Sequence, residues 1–192
     1  VFVYGFGIKG IATLAGFTGV LGPSDKLIQT KGVNFFALHG GYDTDVFAFA
    51  AERQYLRSHF DKHLRGFRAS LYVHHANHGQ FNTHWGSDTN GPMLHLLNQK
   101  ALISGEQQRQ IALLYLSAFI EASVSNSQSM PDFFCDAEKV SALLAPTLYV
   151  SRCDHSARRV LAGFGEDVDL RTTAFDNLSL KGQDLTLWRE KD

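Results

Sequence analysis

Several things are scarce in this 192-residue sequence, and each scarcity excludes something. There are two cysteines, Cys135 and Cys153, too few for a disulfide scaffold or a four-thiolate zinc site. They permit one bridge or none, which leaves the redox compartment open. Proline is rare, at 4 residues, while 44% of the chain is hydrophobic, the composition of a folded core and not of a disordered segment. Excess charge is missing too: a formal net charge of −1 gives no general attraction to nucleic acid or to anionic lipid. Long apolar runs are also wanting. Glycines and Lys9 interrupt residues 1–22, and the run at 111–120 is short, so neither a membrane span nor a signal peptide is expected. The chain starts inside an apolar stretch and reads as a piece of something longer.

What is present is a pattern of alternating elements. Residues 8–15 and 33–39 are apolar without alternation, the habit of strands in a parallel sheet covered on both faces by helices. Residues 67–76 also have strand character. Between them, residues 46–60 switch to helical spacing, with Val46, Phe49, the aliphatic stem of Arg53, Leu56 and Phe60 along one stripe. A helix is expected near 93–102. A stronger one is expected over 106–122, with Ile111, Leu114, Tyr115, Ala118 and Phe119 on one face. This order predicts an α/β fold with about three parallel strands and flanking helices. The Ser- and Asn-containing stretch 125–132 reads as a linker. Short β-type runs at 147–150 and 185–188 make 133–192 look like the start of an incomplete β-rich accessory module.

Chemistry in open α/β sheets sits at the carboxyl ends of strands. One expected strand runs out into Leu38-His39-Gly40-Gly41-Tyr42-Asp43-Thr44-Asp45-Val46, and the next into Ala76-Asn77-His78-Gly79-Gln80-Phe81-Asn82. A carboxylate and an imidazole at equivalent ends of neighbouring strands can meet, and such a pair suits general-base catalysis. Asp45 competes with Asp43 for the acid. Lying just before the helix expected at 46, it is the better N-cap, so capping is assigned to Asp45 and chemistry to Asp43.

These two loops, LHGGYDTDV (38–46) and ANHGQFN (76–82), resemble the acid and histidine loops of α/β-hydrolases, in the lipase- and dienelactone-hydrolase-like branch. The resemblance covers about residues 8–122. It implies that residues 1–124 are the C-terminal part of an α/β-hydrolase domain, with Asp43 as triad acid and His78 as general base. It also implies cleavage of a carboxylic ester, a small-molecule substrate, through an acyl-enzyme and without a cofactor. The family's nucleophile stands on a Gly-x-Ser-x-Gly elbow earlier in the chain. No such motif occurs here: Ser24 is in a Gly-Pro-Ser-Asp turn, Ser58 falls in the expected helix, and Ser70 and Ser87 lack the glycines. These 192 residues alone are therefore expected to be inactive. The alternative is a non-catalytic binding or structural module on the same fold.

Other candidates are weaker. His74, His75, His78 and His84 cluster in sequence, but adjacent strand residues point to opposite faces, so no metal site is expected. Gly5-Phe6-Gly7-Ile8-Lys9-Gly10 has the spacing of a dinucleotide fingerprint, yet strand character continues after Gly10 where that motif needs a helix. Phe81, Asn82 and Trp85 are expected to pack or hydrogen-bond the histidine loop. Arg152, Arg158 and Arg159 read as a solvated cluster.

Overall fold

The computed structural model describes residues 5–17, 30–46, 49–59, 66–85, 98–125, 130–162 and 173–183. Its strands are β1 (Gly10–Leu14), β2 (Thr30–Lys31), β3 (Asn34–Gly40), β4 (Ser58–His59), β5 (Phe67–Val73) and β6 (Tyr149–His155), and its helices are α1 (Ala50–Arg57) and α2 (Gly105–Val124). The main sheet has the order β1-β3-β5-β6. The first three strands are parallel, and β6 runs antiparallel to β5. β2 and β4 form a separate short parallel pair. The fold is α/β, a mostly parallel sheet with helices against it, as the alternating pattern predicts.

Every residue of β3 is buried, because a helix lies on each side of it. Phe35 and Ala37 pack against Ala51 and Tyr55 of α1. On the other face Phe36 and Leu38 join Phe67, Leu71, Tyr115 and Phe119 in the larger core. The Phe36 ring stacks on Tyr115 at 5.8 Å and meets the edge of Phe134 at 5.3 Å. Removing each such side chain from water is worth about 2 kcal/mol. α2 buries Ile111, Tyr115 and Phe119, with Leu114 and Ala118 packed partly against the core, which is the face expected from the sequence. A capping box starts this helix: Ser104 Oγ accepts from Gln107 N–H, and Gln107 Oε1 accepts from Ser104 N–H.

Three expectations are corrected. The first helix begins at Ala50, not at 46, and it buries Ala50, Ala51 and Tyr55. Phe49 and Leu56, on the expected stripe, are 61% and 50% exposed, and Phe60 lies outside the described residues. Small alanines let the helix backbone come close to a sheet face that already carries Phe35, so bulk on the helix is turned outward. In the second expected helix, residues 93–97 lie outside the described residues, and Gln99–Ala101 is a single 3₁₀ turn.

The third correction concerns the expected module at 133–192. Residues 130–156 belong to the same compact unit as the rest, Val1–Ser156. Phe134 is buried among the core rings, and β6 continues the sheet by pairing with β5 from Phe67↔His155 to Val73↔Tyr149. β5 would otherwise leave a row of backbone groups unpaired at the sheet edge. A disulfide between Cys135 and Cys153 fastens the 3₁₀ turn Asp132–Phe134 to β6. Residues 126–129 of the expected linker and the run at 185–188 lie outside the described residues. The second unit, Ala157–Asp192, contains a turn in which Thr173 Oγ1 donates to the carbonyls of Phe175 and Leu178.

The bridged cysteines are 18 residues apart, a loop whose closure restricts the unfolded chain by about 3 kcal/mol. The double variant Cys135→Ser/Cys153→Ser is expected to lose about that much in urea unfolding. A loss below roughly 1 kcal/mol would show that the bridge restrains nothing the fold does not already hold.

Candidate active site

β3 ends on two glycines for a steric reason. A Cβ on Gly40 would run into the Ala76 carbonyl, and one on Gly41 into the His74 carbonyl and the Tyr72 hydroxyl. The turn after β3 thus lies backbone to backbone on the turn after β5. Two hydrogen bonds of 2.8 Å lock the contact, from Gly41 N–H to the Val73 carbonyl and from Tyr42 N–H to the Ala76 carbonyl. As a result the carboxylate and imidazole singled out from the sequence meet: His78 Nδ1 is 3.0 Å from Asp43 Oδ2. The Asp43 side chain is completely buried, and that of His78 is 19% exposed.

The other carboxylate oxygen of Asp43 holds its own turn. Oδ1 accepts from the backbone N–H groups of Asp45 at 3.0 Å and Val46 at 2.6 Å. The cap expected from Asp45 is not made: Asp45 is exposed, and Asp43 takes the Val46 N–H into its own turn. The residue at the N-cap of α1 is Phe49, without a side-chain cap. Asp43 holds its own turn and meets His78 at once because its two oxygens face opposite ways, one toward the chain that follows and one toward the neighbouring loop.

Burial pushes the Asp43 carboxyl above the usual carboxylate range, and the Val46 N–H and His78 pull against it. His39, at the end of β3, is pushed below the usual imidazole range by burial, with Asp43 acting in the opposite sense and His78 adding to the decrease. Trp85 stacks on the His78 ring at 5.9 Å with the planes 4° apart. Asn82 prepares that contact by accepting, through Oδ1, from the N–H groups of His84 and Trp85.

Sequence reasoning missed what holds the histidine loop. Gln108 is fully buried. Its Oε1 accepts from Asn77 N–H at 3.2 Å, and its Nε2 donates to Gln80 Oε1 at 2.7 Å and to the Ile103 carbonyl at 3.1 Å. Arg109 adds a bond from Nη1 to the Gln80 carbonyl. The signal was legible, since Gln108 continues the buried stripe of α2 one turn before Ile111, where a polar residue needs partners.

The remaining candidates fall elsewhere. β5 stops at Val73, so His74 and His75 are turn residues, not strand residues on opposite faces. Their rings are 4.3 Å apart, and both meet the Tyr42 ring edge-on. His75 Nδ1 lies 3.0 Å from Thr147 Oγ1. Among the described residues no group of three or more His, Cys, Asp or Glu side chains could hold a metal ion. Gly10 opens a strand. Ser58 is in β4 and donates to the Gln54 carbonyl, Ser70 donates to Glu52, and Ser24 and Ser87 lie outside the described residues. Arg152 is not simply solvated: it pairs with Glu52, and its guanidinium lies 5.0 Å from the Tyr55 ring centre. No described helix is long and apolar enough to cross a membrane. No family model matches the chain, and no curated protein sequence does. What the site does is therefore read from its own geometry.

Two measurements follow from this geometry. Asp43→Ala strands the N–H groups of Asp45 and Val46 and is expected to destabilise by about 2 kcal/mol in urea unfolding, whereas Asp43→Asn keeps an acceptor for them and costs less. Equal losses would show that those two bonds do not matter. Stability should also respond to His39. Its proton is bound less readily in the folded chain, so its contribution is full above the ordinary value of 6.5 and drains away as pH falls through the lowered native value. Unfolding free energy measured against pH should therefore decline on acidification from 6.5 down to the lowered native value, and the decline should shrink in His39→Phe. Burial of Asp43 acts in the opposite sense, its contribution being present below 3.8 and lost as pH rises through the raised native value.

Proposed function

We propose that Asp43 and His78 are the acid and the base of a serine-hydrolase triad, and that this chain is the C-terminal part of an α/β-hydrolase acting on carboxylic esters. One observation carries the reading: a buried carboxylate lies 3.0 Å from Nδ1 of a partly exposed histidine, at the carboxyl ends of adjacent parallel strands. With Nδ1 turned to Asp43, the base function falls to Nε2. That nitrogen takes the serine hydroxyl proton as Oγ bonds to the ester carbonyl carbon, and Asp43 stabilises the imidazolium without taking the proton itself. When the carbon–oxygen bond to the alcohol breaks, the proton leaves with the alcohol. His78 then activates the water that releases the acid. Trp85, stacked on the imidazole, limits the orientations the ring can take.

The serine and its oxyanion-hole N–H groups belong, in this proposal, to a Gly-x-Ser-x-Gly elbow encoded ahead of Val1, because no such motif occurs in the sequence. The same lack favours a second reading, a non-catalytic module that keeps the fold and the pair without the nucleophile.

Hydrolysis of a p-nitrophenyl ester decides between them. The 192-residue chain is expected to show no saturable turnover, and the protein extended upstream is expected to hydrolyse the ester. In that extended protein His78→Ala should lower kcat by about 10³–10⁴-fold. An upstream sequence without the serine elbow would establish the non-catalytic module, and an extended enzyme indifferent to His78→Ala would remove the triad altogether.

A further inference from the structure

The face of the sheet under α1 holds a cavity that the Asp43–His78 pair does not use. Arg68, Ser70 and Tyr72 of β5 point to this face, as do Val150 and Arg152 of β6. α1 covers β3 but reaches only part of the way over these two strands. The space left has a volume of about 480 Å³, within the range of small-molecule sites. Its walls are mostly apolar, formed by Phe49, Ala51, Leu71, Tyr72 and Val150.

Three features distinguish it from an accidental gap. His39 lines it and is only 4% exposed, and its buried Nδ1 has no hydrogen-bond partner. A buried polar atom left without a partner is uncommon and points to a group that arrives from outside. Phe49, whose ring packs on Tyr72, adopts a left-handed backbone conformation with φ 54°, a strain that bulky residues rarely carry and that tends to gather at ligand clamps. Finally, the charges beside the cavity are already matched. Glu52 pairs with Arg152 and accepts from Ser70 Oγ.

We propose that this cavity binds an uncharged, largely apolar molecule bearing one hydroxyl group, which hydrogen-bonds His39 Nδ1. A hydroxyl both donates and accepts, so it satisfies the imidazole in either tautomer. Burial holds His39 below the usual imidazole range, so the ring is neutral at pH 7 and offers no counter-charge to a carboxylate. A purely apolar molecule fits the walls but leaves Nδ1 as it was. The site is separate from the proposed hydrolytic role and stands whether or not Asp43 and His78 are catalytic.

Fluorescence titration of the protein into 2-naphthol, naphthalene and 2-naphthoate tests this. The alcohol is expected to bind saturably and about tenfold more tightly than either of the others, the ratio expected for one buried hydrogen bond. His39→Phe should abolish the preference for naphthol over naphthalene. Val150→Trp places an indole in the cavity from a residue that is 54% exposed on the edge strand, and it should abolish binding while the melting temperature stays unchanged. That second variant decides the matter should His39→Phe fail to fold. Absence of saturable naphthol binding, equal affinity for naphthalene, or undiminished binding by folded Val150→Trp would overturn the proposal.

Discussion

Two peptide backbones in contact at the ends of β3 and β5 organise everything at the candidate site. The contact exists because Gly40 and Gly41 present no Cβ toward Ala76 and His74, and two short N–H···O=C bonds close it. From this approach the rest follows. Asp43 is carried inside, its carboxylate is divided between its own turn and the neighbouring loop, and His78 is brought to bonding distance. A side chain of any size at either glycine would push the two turns apart, and the pair with them.

The site also carries an electrostatic conflict that its surroundings contain. Burial disfavours charge on both Asp43 and His39, yet the two lie within reach of each other's field and of His78. Backbone N–H groups from Asp45 and Val46 give the carboxylate the hydrogen bonds that water would have supplied. α2 steadies the opposite loop through Gln108, so both partners are fixed by elements anchored in the core. The two faces of the sheet differ in the same economical way. Interlocked aromatic rings fill the α2 face, while alanines bring α1 close over β3 and leave space beyond it.

Much of this was legible along the chain. The unalternating run at 33–39 announced a strand buried on both faces, whereas the similar run at 8–15 forms β1, none of whose residues is buried; the apolar face of α2 was readable from its spacing. Asp43 and His78 could be chosen because strand ends in α/β folds are where side chains from separate segments converge. The errors share one cause, the assumption that a local pattern continues undisturbed. The stripe through Phe49 and Leu56 suits an isolated amphipathic helix, but the aromatic surface of the sheet selected the alanine side instead. Asp45 is well placed to cap a helix starting at 46, and the helix does not start there because Asp43 has already drawn the Val46 N–H into a turn. His74 and His75 were assigned to opposite faces by a strand that in fact ends at Val73.

The sequence by itself determined the class of fold, the two residues of the pair and the two cysteines free to bond, because periodicity and residue chemistry are properties of neighbours along the chain. Only the tertiary structure decided that the segment past the linker returns to complete the sheet, that Cys135 and Cys153 meet, that Gln108 supports the histidine loop, and that a cavity remains beside His39. Each of these depends on which surfaces come within a few ångströms after collapse. Steric fit and desolvation act at that range, between residues far apart in the chain, and no local pattern encodes them.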